Sequence, residues 1–168
     1  INELNSRLYS AFDTAVRQLA EHSIAIKTYA ELNAAQTKHI ERYFKSTVFP
    51  VMTPMAVDQG HPFPNLPSLT MSFVLRLKQG KKKNFAILPL PNNIPRIIPL
   101  PSPRGTDEFI LLEDVIREHI SSFFRGYTVA KEALFRITRD SDYDIQEEYT
   151  DDLLEAIEEE VRKRPTAN

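Results

Sequence analysis

The stretch LTMSFVLRLKQGKKKNFAILPL, residues 69–90, determines the predicted fold because it is typical of a β-hairpin. Hydrophobic residues occupy every second position of its first half. Because successive side chains of a strand point to opposite faces, this alternation predicts a strand over residues 69–78 with one buried and one mostly solvated face. The following QGKKK contains Gly80, which tolerates positive φ, and it predicts a tight turn. Residues 85–90 then form the returning strand.

The sequence around this hairpin is rich in proline. Eleven of the twelve prolines lie between Pro50 and Pro103. Proline fixes φ and cannot donate a backbone hydrogen bond, so loops, extended segments and edge strands are expected here instead of helices. Frequent Phe, Ile, Leu and Val residues argue against disorder. Further short strands are predicted at residues 24–28, 97–100, 108–112 and 134–139.

Two helices are predicted before the proline-rich part. Apolar residues at spacings of three and four, among them Leu8 and Phe12, indicate an amphipathic helix over residues 1–22. A second helix is expected to begin near Asn33, a favourable N-cap residue. Gln36, three residues later, can complete a capping box with it.

Two more helices are predicted after the hairpin, over residues 113–124 and 151–164. Gly126 ends the first of them, and Thr150 can cap the second. Helices combined with a mostly antiparallel sheet define an α+β fold. The expected architecture is a helical N-terminal segment followed by such a sheet, packed with two or more helices.

Length and composition place limits on the function. The chain has 168 residues, of which 42% are hydrophobic and 26% charged, so one sizeable core can be buried. No apolar run approaches the ~18 residues that a membrane-spanning helix needs. The absence of cysteine excludes disulfides and thiolate metal sites. The first residue, Ile1, lies within a helical pattern, and we therefore expect a piece of a longer protein.

Charge is segregated along the chain although its net value is only −2. Residues 59–106 contain seven basic residues and no acidic residue. Residues 140–160 contain eleven acidic residues and no basic residue. Such asymmetry can attract anions to one region, or it can give two solvated faces that partly neutralise each other.

Few residues are candidates for catalysis. Asp58 and His61 stand three residues apart in a rigid loop, and such a pair can orient an imidazole for base catalysis. Because no nucleophile and no further metal ligands are spaced to assist them, we expect Asp58 and His61 to fix the geometry of the loop, and we expect no metal site. His22 and His39 have no clustered partner, and His119 is expected to be a hydrogen-bonded core residue.

Several cations are candidates for binding anions or an interface. The tract over residues 76–83 includes Lys81, Lys82 and Lys83 and could bind phosphate by charge alone, or it could be a solvated hairpin. It lacks a recognisable stacking platform, so no specific nucleic acid is expected. The other candidates are Arg96, Arg136 and Arg139, because arginine can form a fork onto carboxylates or phosphates.

Several stretches in a fixed order resemble one family, the ATP-dependent polyphosphate kinases of bacteria. The most specific are FPVMTPMAVDQGHPFPNL at 49–66 and FRITRDSDYD at 135–144. Between them stand PRIIPLP at 95–101 and LEDVIREHISSFFRGY at 112–127, and the acidic helix at 151–164 fits the same series. The resemblance covers nearly the whole chain.

This resemblance implies a domain assignment. The family has a helical N-terminal domain, a head domain and two C-terminal domains. Residues 1–47 would be the last helices of the N-terminal domain, and residues 48–168 would be most of the head domain. In the family the head domain takes part in dimer contacts, so a homo-oligomer is expected, in the cytoplasm or peripheral to the membrane.

The resemblance also implies an activity for the full-length enzyme. That enzyme moves the terminal phosphate of ATP onto polyphosphate reversibly through a phosphohistidine, with Mg²⁺ offsetting charge. The catalytic histidines belong to the C-terminal domains, and none of the four histidines here matches their motifs. We therefore expect no catalytic residue and no bound ATP or Mg²⁺ in this chain. The alternative is a stand-alone anion-binding or protein-interaction module that uses the basic hairpin 76–83.

Overall fold

The computed structural model of the chain describes residues 2–58, 63–80 and 82–138. Contacts within the chain divide it into two units. Unit 1 comprises Ile1–Pro50 and Asn93–Glu118, and unit 2 comprises Val51–Asn92 and His119–Asn168. The helix predicted for residues 151–164 lies outside the described residues.

The helices at the start of unit 1 follow the sequence pattern. Helix α1 spans Asn2–Glu21, and helix α2 spans Ala34–Tyr43 and continues as one π-helical turn over Phe44–Val48. The predicted capping box is confirmed. The Asn33 side chain accepts from the backbone N–H of Gln36 at 3.0 Å, and Gln36 Oε1 accepts from the backbone N–H of Asn33 at 3.2 Å.

A three-stranded sheet completes unit 1. Its strands are β1 (Ile24–Lys27), β5 (Ile97–Pro99) and β6 (Asp107–Leu111), in the order β1-β6-β5. Strand β6 is parallel to β1 and antiparallel to β5. The domain boundary was expected between residues 47 and 48, and this sheet contains strands from both sides of it. The assignment of residues 1–47 and 48–168 to two family domains stays a prediction.

Helix α3 directly follows β6 and spans Leu112–His119. The predicted helix over residues 113–124 is therefore shorter than expected as an α-helix. Its last turn, Ile120–Phe123, is a 3₁₀-helix, a common way for a helix to tighten at its end. Gly126 has a φ of +84° and lies seven residues after the end of α3, so its predicted role as a stop stays a prediction.

Unit 2 contains a four-stranded antiparallel sheet. Its strands are β2 (Met55–Val57), β3 (Met71–Gln79), β4 (Lys82–Pro89) and β7 (Thr128–Arg136), in the order β2-β4-β3-β7. The predicted hairpin is confirmed: Gln79 lies opposite Lys82, and Gly80 in the turn has a φ of +59°. The α+β class is confirmed as well, by helices together with mainly antiparallel strands.

The prediction that one face of β3 is solvated is wrong for the first part of the strand. Ser72 is fully buried and Val74 is 6% exposed. Strand β3 is central in its sheet, and Val74 packs in a core cluster with Val57, Leu66 and Ile87. Because the segment that contains Leu66 covers this face, both faces of the strand are dry there, and only the residues near the hairpin turn are exposed.

Two strands of this sheet differ from the sequence prediction. Strand β2 lies within the proline-rich stretch and was not predicted, because three residues are too few to show a period. Strand β7 begins at Thr128, six residues before the predicted start, and ends at Arg136, before the predicted end at residue 139. A register shift between Arg76 and Leu77 interrupts its pairing with β3 and hides the alternation.

Candidate functional site

Arg96, a predicted anion-binding residue, holds a carboxylate of its own unit. Its Nε donates to both oxygens of Glu113 at 3.0 and 3.1 Å, and one of its terminal nitrogens donates to the same carboxylate. Glu113 is the second residue of α3, and its side chain is 6% exposed. Hydrogen bonding to Glu113 raises the pKa of the Arg96 guanidinium. The pair fixes the start of α3, and an anion-binding role for Arg96 stays a prediction.

Unit 1 contains a second polar network, which was not predicted from the sequence. Gln36, which is fully buried, donates to the carbonyl of Pro101 at 2.9 Å and also to Glu108 Oε2. Lys27 Nζ donates to the same Glu108 oxygen at 2.8 Å. The hydrogen bond from Lys27, followed by that from Gln36, lowers the pKa of Glu108. This network connects α2 to β1, to β6 and to the loop that contains Pro101. Its partners are 65 to 81 residues apart, so no local sequence pattern could have predicted them.

Cations meet on one face of the four-stranded sheet. In the antiparallel register Lys78 lies directly opposite Lys83, and Arg76 lies directly opposite Lys131. Residues directly opposite in such a pair project to the same face, and so do residues two apart on one strand. Arg76, Lys78, Lys83 and Lys131 therefore share a face, and together they are called the cationic face below. Lys78 and Lys83 are exposed, whereas Arg76 and Lys131 are half-buried.

The strands of this sheet supply no acid to the cationic face. Glu132 is the one acidic residue within these four described strands, and it alternates with Lys131 to the opposite face. Asp58 is exposed and directly follows β2, beyond Val57, which lies opposite Phe85. The predicted role of Asp58 in loop geometry stays a prediction, and His61 lies outside the described residues.

The other predicted site residues are spread over the chain. Arg136 lies opposite Met71, on the face away from the cationic face and at the far end of β3 from the hairpin turn. Lys82 lies opposite Gln79 and so also projects away from the cationic face. Lys81 and Arg139 lie outside the described residues. The structure thus places Lys83 beside Arg76, Lys78 and Lys131. None of these three was predicted individually as a site residue.

A further basic surface runs along the exposed side of α2 and its π-helical turn. A groove of about 430 Å³ there is lined by Lys38, Glu41, Arg42, Lys45 and Ser46. Its cations recur at helical spacing on one element, and Glu41 interrupts them. It is therefore an ordinary solvated helix face with mixed charge, and it serves below as a reference surface.

The three histidines that the structure describes do not assemble into a site. His22 and His39 are exposed, and His119 is half-buried at the last residue of α3. Among the residues that the structure describes, no group of three or more His, Asp or Glu could hold a metal ion. No helix within the described part of the chain is long and apolar enough to cross a membrane.

The chain thus has an α+β fold with two sheets. Positive charge is concentrated on one face of the four-stranded sheet. A family model described as the polyphosphate kinase middle domain matches residues 35–168, which is most of the chain. The chain therefore belongs to the polyphosphate kinase family, as the sequence motifs indicated.

Individual relatives agree with this assignment. The chain is 41% identical over 165 residues to a polyphosphate kinase of Exiguobacterium sibiricum, and the match covers 96% of this chain and 23% of the relative. It is 35% identical over 167 residues to the polyphosphate kinase of Lactiplantibacillus plantarum, with 97% and 23% coverage.

A crystal structure shows the same fold. The polyphosphate kinase from Porphyromonas gingivalis superposes with a TM-score of 0.71 at 26% identity, over 82% of this chain and 23% of that chain. The chain thus spans about a quarter of the length of these relatives.

Proposed function

We propose that this chain is a non-catalytic scaffold and dimerisation region of a polyphosphate kinase. The whole enzyme would transfer the terminal phosphate of ATP reversibly to inorganic polyphosphate. The observation that carries the proposal is the middle-domain match over residues 35–168, together with relatives about four times as long. Phosphoryl transfer through a phosphohistidine requires an activated nucleophile, Mg²⁺ and positioned cations. In this proposal the remaining portions of the enzyme supply them.

The geometry of unit 1 supports a scaffold role. Two of its carboxylates with cationic partners, Glu108 and Glu113, join different elements of the unit. Hydrogen bonds to charged groups are stronger than neutral ones, and a satisfied network holds its elements in a defined position. A rigid middle portion of this kind would keep nucleotide and polyphosphate sites of neighbouring domains in register.

The test compares the chain with the full-length enzyme that contains it. Each is incubated with ATP, Mg²⁺ and polyphosphate, and formation of longer polyphosphate and ADP is measured. We expect activity from the full-length enzyme only. Turnover by the chain alone, at a rate that scales with its concentration, would contradict a non-catalytic role. If the full-length protein is folded but forms neither longer polyphosphate nor ADP, the proposed enzyme class is contradicted.

The dimerisation part of the proposal has its own measurement. Sedimentation equilibrium of the full-length enzyme should give the mass of a homo-oligomer. Deleting the segment that corresponds to this chain should reduce the mass to that of the deleted monomer. An oligomer that persists without the segment would place the contacts elsewhere.

A further inference from the structure

We infer that the cationic face, formed by Arg76, Lys78, Lys83 and Lys131, is a binding site for a linear phosphate polyanion. The inference rests on the proposed function for the identity of that ligand, which would be polyphosphate. It assigns a site to this chain that acts by holding the chain of phosphates, separately from any phosphoryl transfer.

Repulsion within the sheet is the first argument. Like charges directly opposite each other in an antiparallel pair destabilise it. Here one such pair, Lys78–Lys83, is exposed beside the hairpin turn. Residues that lower stability without a local benefit are expected at functional sites. A bound polyanion would remove the repulsion between Lys78 and Lys83.

The arrangement of the charges is the second argument. Side chains directly opposite are about 5 Å apart at Cβ, and residues two apart on a strand are about 7 Å apart. The order Lys131, Arg76, Lys78, Lys83 therefore runs diagonally across β7, β3 and β4 as a continuous track. A track suits an extended ligand with a charge on every unit better than a single small anion.

The backbone that carries the track is well ordered by its neighbours. Strand β3 pairs on both sides over most of its length, and its residues just before the track belong to the buried core. Sites built on strands hold their side chains more accurately than sites on loops. Lysine contributes a compact positive charge to a phosphate, and arginine can contribute a fork of two donors.

The surroundings favour polyphosphate over nucleic acid. Proteins that bind single-stranded nucleic acid combine basic grooves with aromatic rings on which bases stack. Phe85 is the aromatic residue directly opposite Arg76, and it packs against the core cluster of unit 2. Its ring thus packs against the hydrophobic core, and the described residues of the cationic face offer charge without a stacking platform.

The experiment measures binding of the chain to medium-length polyphosphate, by calorimetry without ATP. The test variant is Lys78→Gln/Lys83→Gln, and the matched control is Lys38→Gln/Lys45→Gln on the α2 surface. Both remove two exposed charges, so they change the net charge equally. We expect at least about a tenfold loss of affinity for the test variant and less than a threefold loss for the control. The salt dependence should also weaken, with a slope about one to two units smaller.

Three outcomes would overturn the inference. Equal losses for both variants would indicate non-specific attraction to net charge. Unchanged affinity in the test variant would exclude the cationic face. Tighter binding of a single-stranded oligonucleotide with the same number of charges, dependent on the same lysines, would assign the site to nucleic acid. A Lys78→Arg/Lys83→Arg variant should retain binding, which separates loss of charge from loss of structure.

The result is independent of the test of the proposed function. Binding is measured without nucleotide or turnover, so an inactive chain can still bind. If the full-length enzyme makes polyphosphate and the chain does not bind it, the inference fails and the proposed function stands. If the chain binds polyphosphate and the full-length protein is inactive, the binding site stands and the proposed function fails.

Discussion

Cations are treated differently in the two units of this chain. In unit 1, Lys27 and Arg96 each meet a carboxylate, from Glu108 and Glu113. In the sheet of unit 2, the residue directly opposite Lys78 is another lysine. We expect the first arrangement to stabilise the fold and the second to weaken it slightly. The residue that lies opposite a cation therefore decides whether its charge is neutralised within the fold or stays available to a ligand.

The largest expected effect concerns the network around Gln36. The substitution Gln36→Leu keeps the volume but removes the donor to Glu108 and to the carbonyl of Pro101. Because buried groups that lose a hydrogen-bond partner cost about 1–3 kcal/mol each, we expect a loss of about 2–4 kcal/mol in the free energy of unfolding. Urea denaturation measures it. The control Lys38→Ala, an exposed position of the same helix, should change stability by less than about 0.5 kcal/mol. A similar loss in both would remove the special role of Gln36.

The next effect concerns the carboxylate of Glu113. Glu113→Ala removes a buried partner of Arg96, which is itself 54% exposed and can be hydrated again. We therefore expect a moderate loss of about 1–2 kcal/mol. The matched control is Asp114→Ala, at the next residue of α3. It breaks the exposed ion pair between Asp114 and Arg117. That pair should be worth less than about 0.5 kcal/mol, and an equal loss for both variants would contradict the structural role of Glu113.

A pH effect is expected from Glu108. Because its pKa is lower in the folded chain, its ionised form stabilises the fold above the ordinary glutamate pKa of about 4.3. This stabilisation is lost as pH falls through the lower pKa of the folded state. The melting temperature of Glu108→Gln should fall less steeply over this acidic range than that of the wild type. Glu118→Gln, at an exposed position of α3, should follow the wild type, and identical curves for all three proteins would refute the effect.

The smallest effect has the opposite sign. Removing the facing charges with Lys78→Gln/Lys83→Gln should raise the free energy of unfolding by roughly 0.2–1 kcal/mol, because the cross-strand repulsion is relieved. The gain should shrink at high salt, which screens exposed charges. Urea denaturation at low and at 1 M salt measures both values. A destabilised variant at low salt would show that these lysines stabilise the sheet.

Local chemistry made part of this fold predictable. The capping box of Asn33 and Gln36 and the turn at Gly80 depend on residues close in sequence, and both were predicted. The burial of Ser72 and Val74 was not, because it depends on a segment that covers one face of a central strand. Similarly, the partners of Gln36 and the position of Lys131 opposite Arg76 depend on long-range register. The sequence thus predicted a basic hairpin, but only the strand pairing shows which of its cations share a face and that Lys131 joins them.

Four melting curves test whether the cationic face binds polyphosphate. The wild type and Lys78→Gln/Lys83→Gln are melted with and without polyphosphate at low salt. Without polyphosphate the variant should melt higher, because its facing lysines are gone. With polyphosphate the wild type should melt higher, because a ligand that binds the folded state stabilises it. If polyphosphate shifts both proteins equally, or neither, the cationic face is not its binding site.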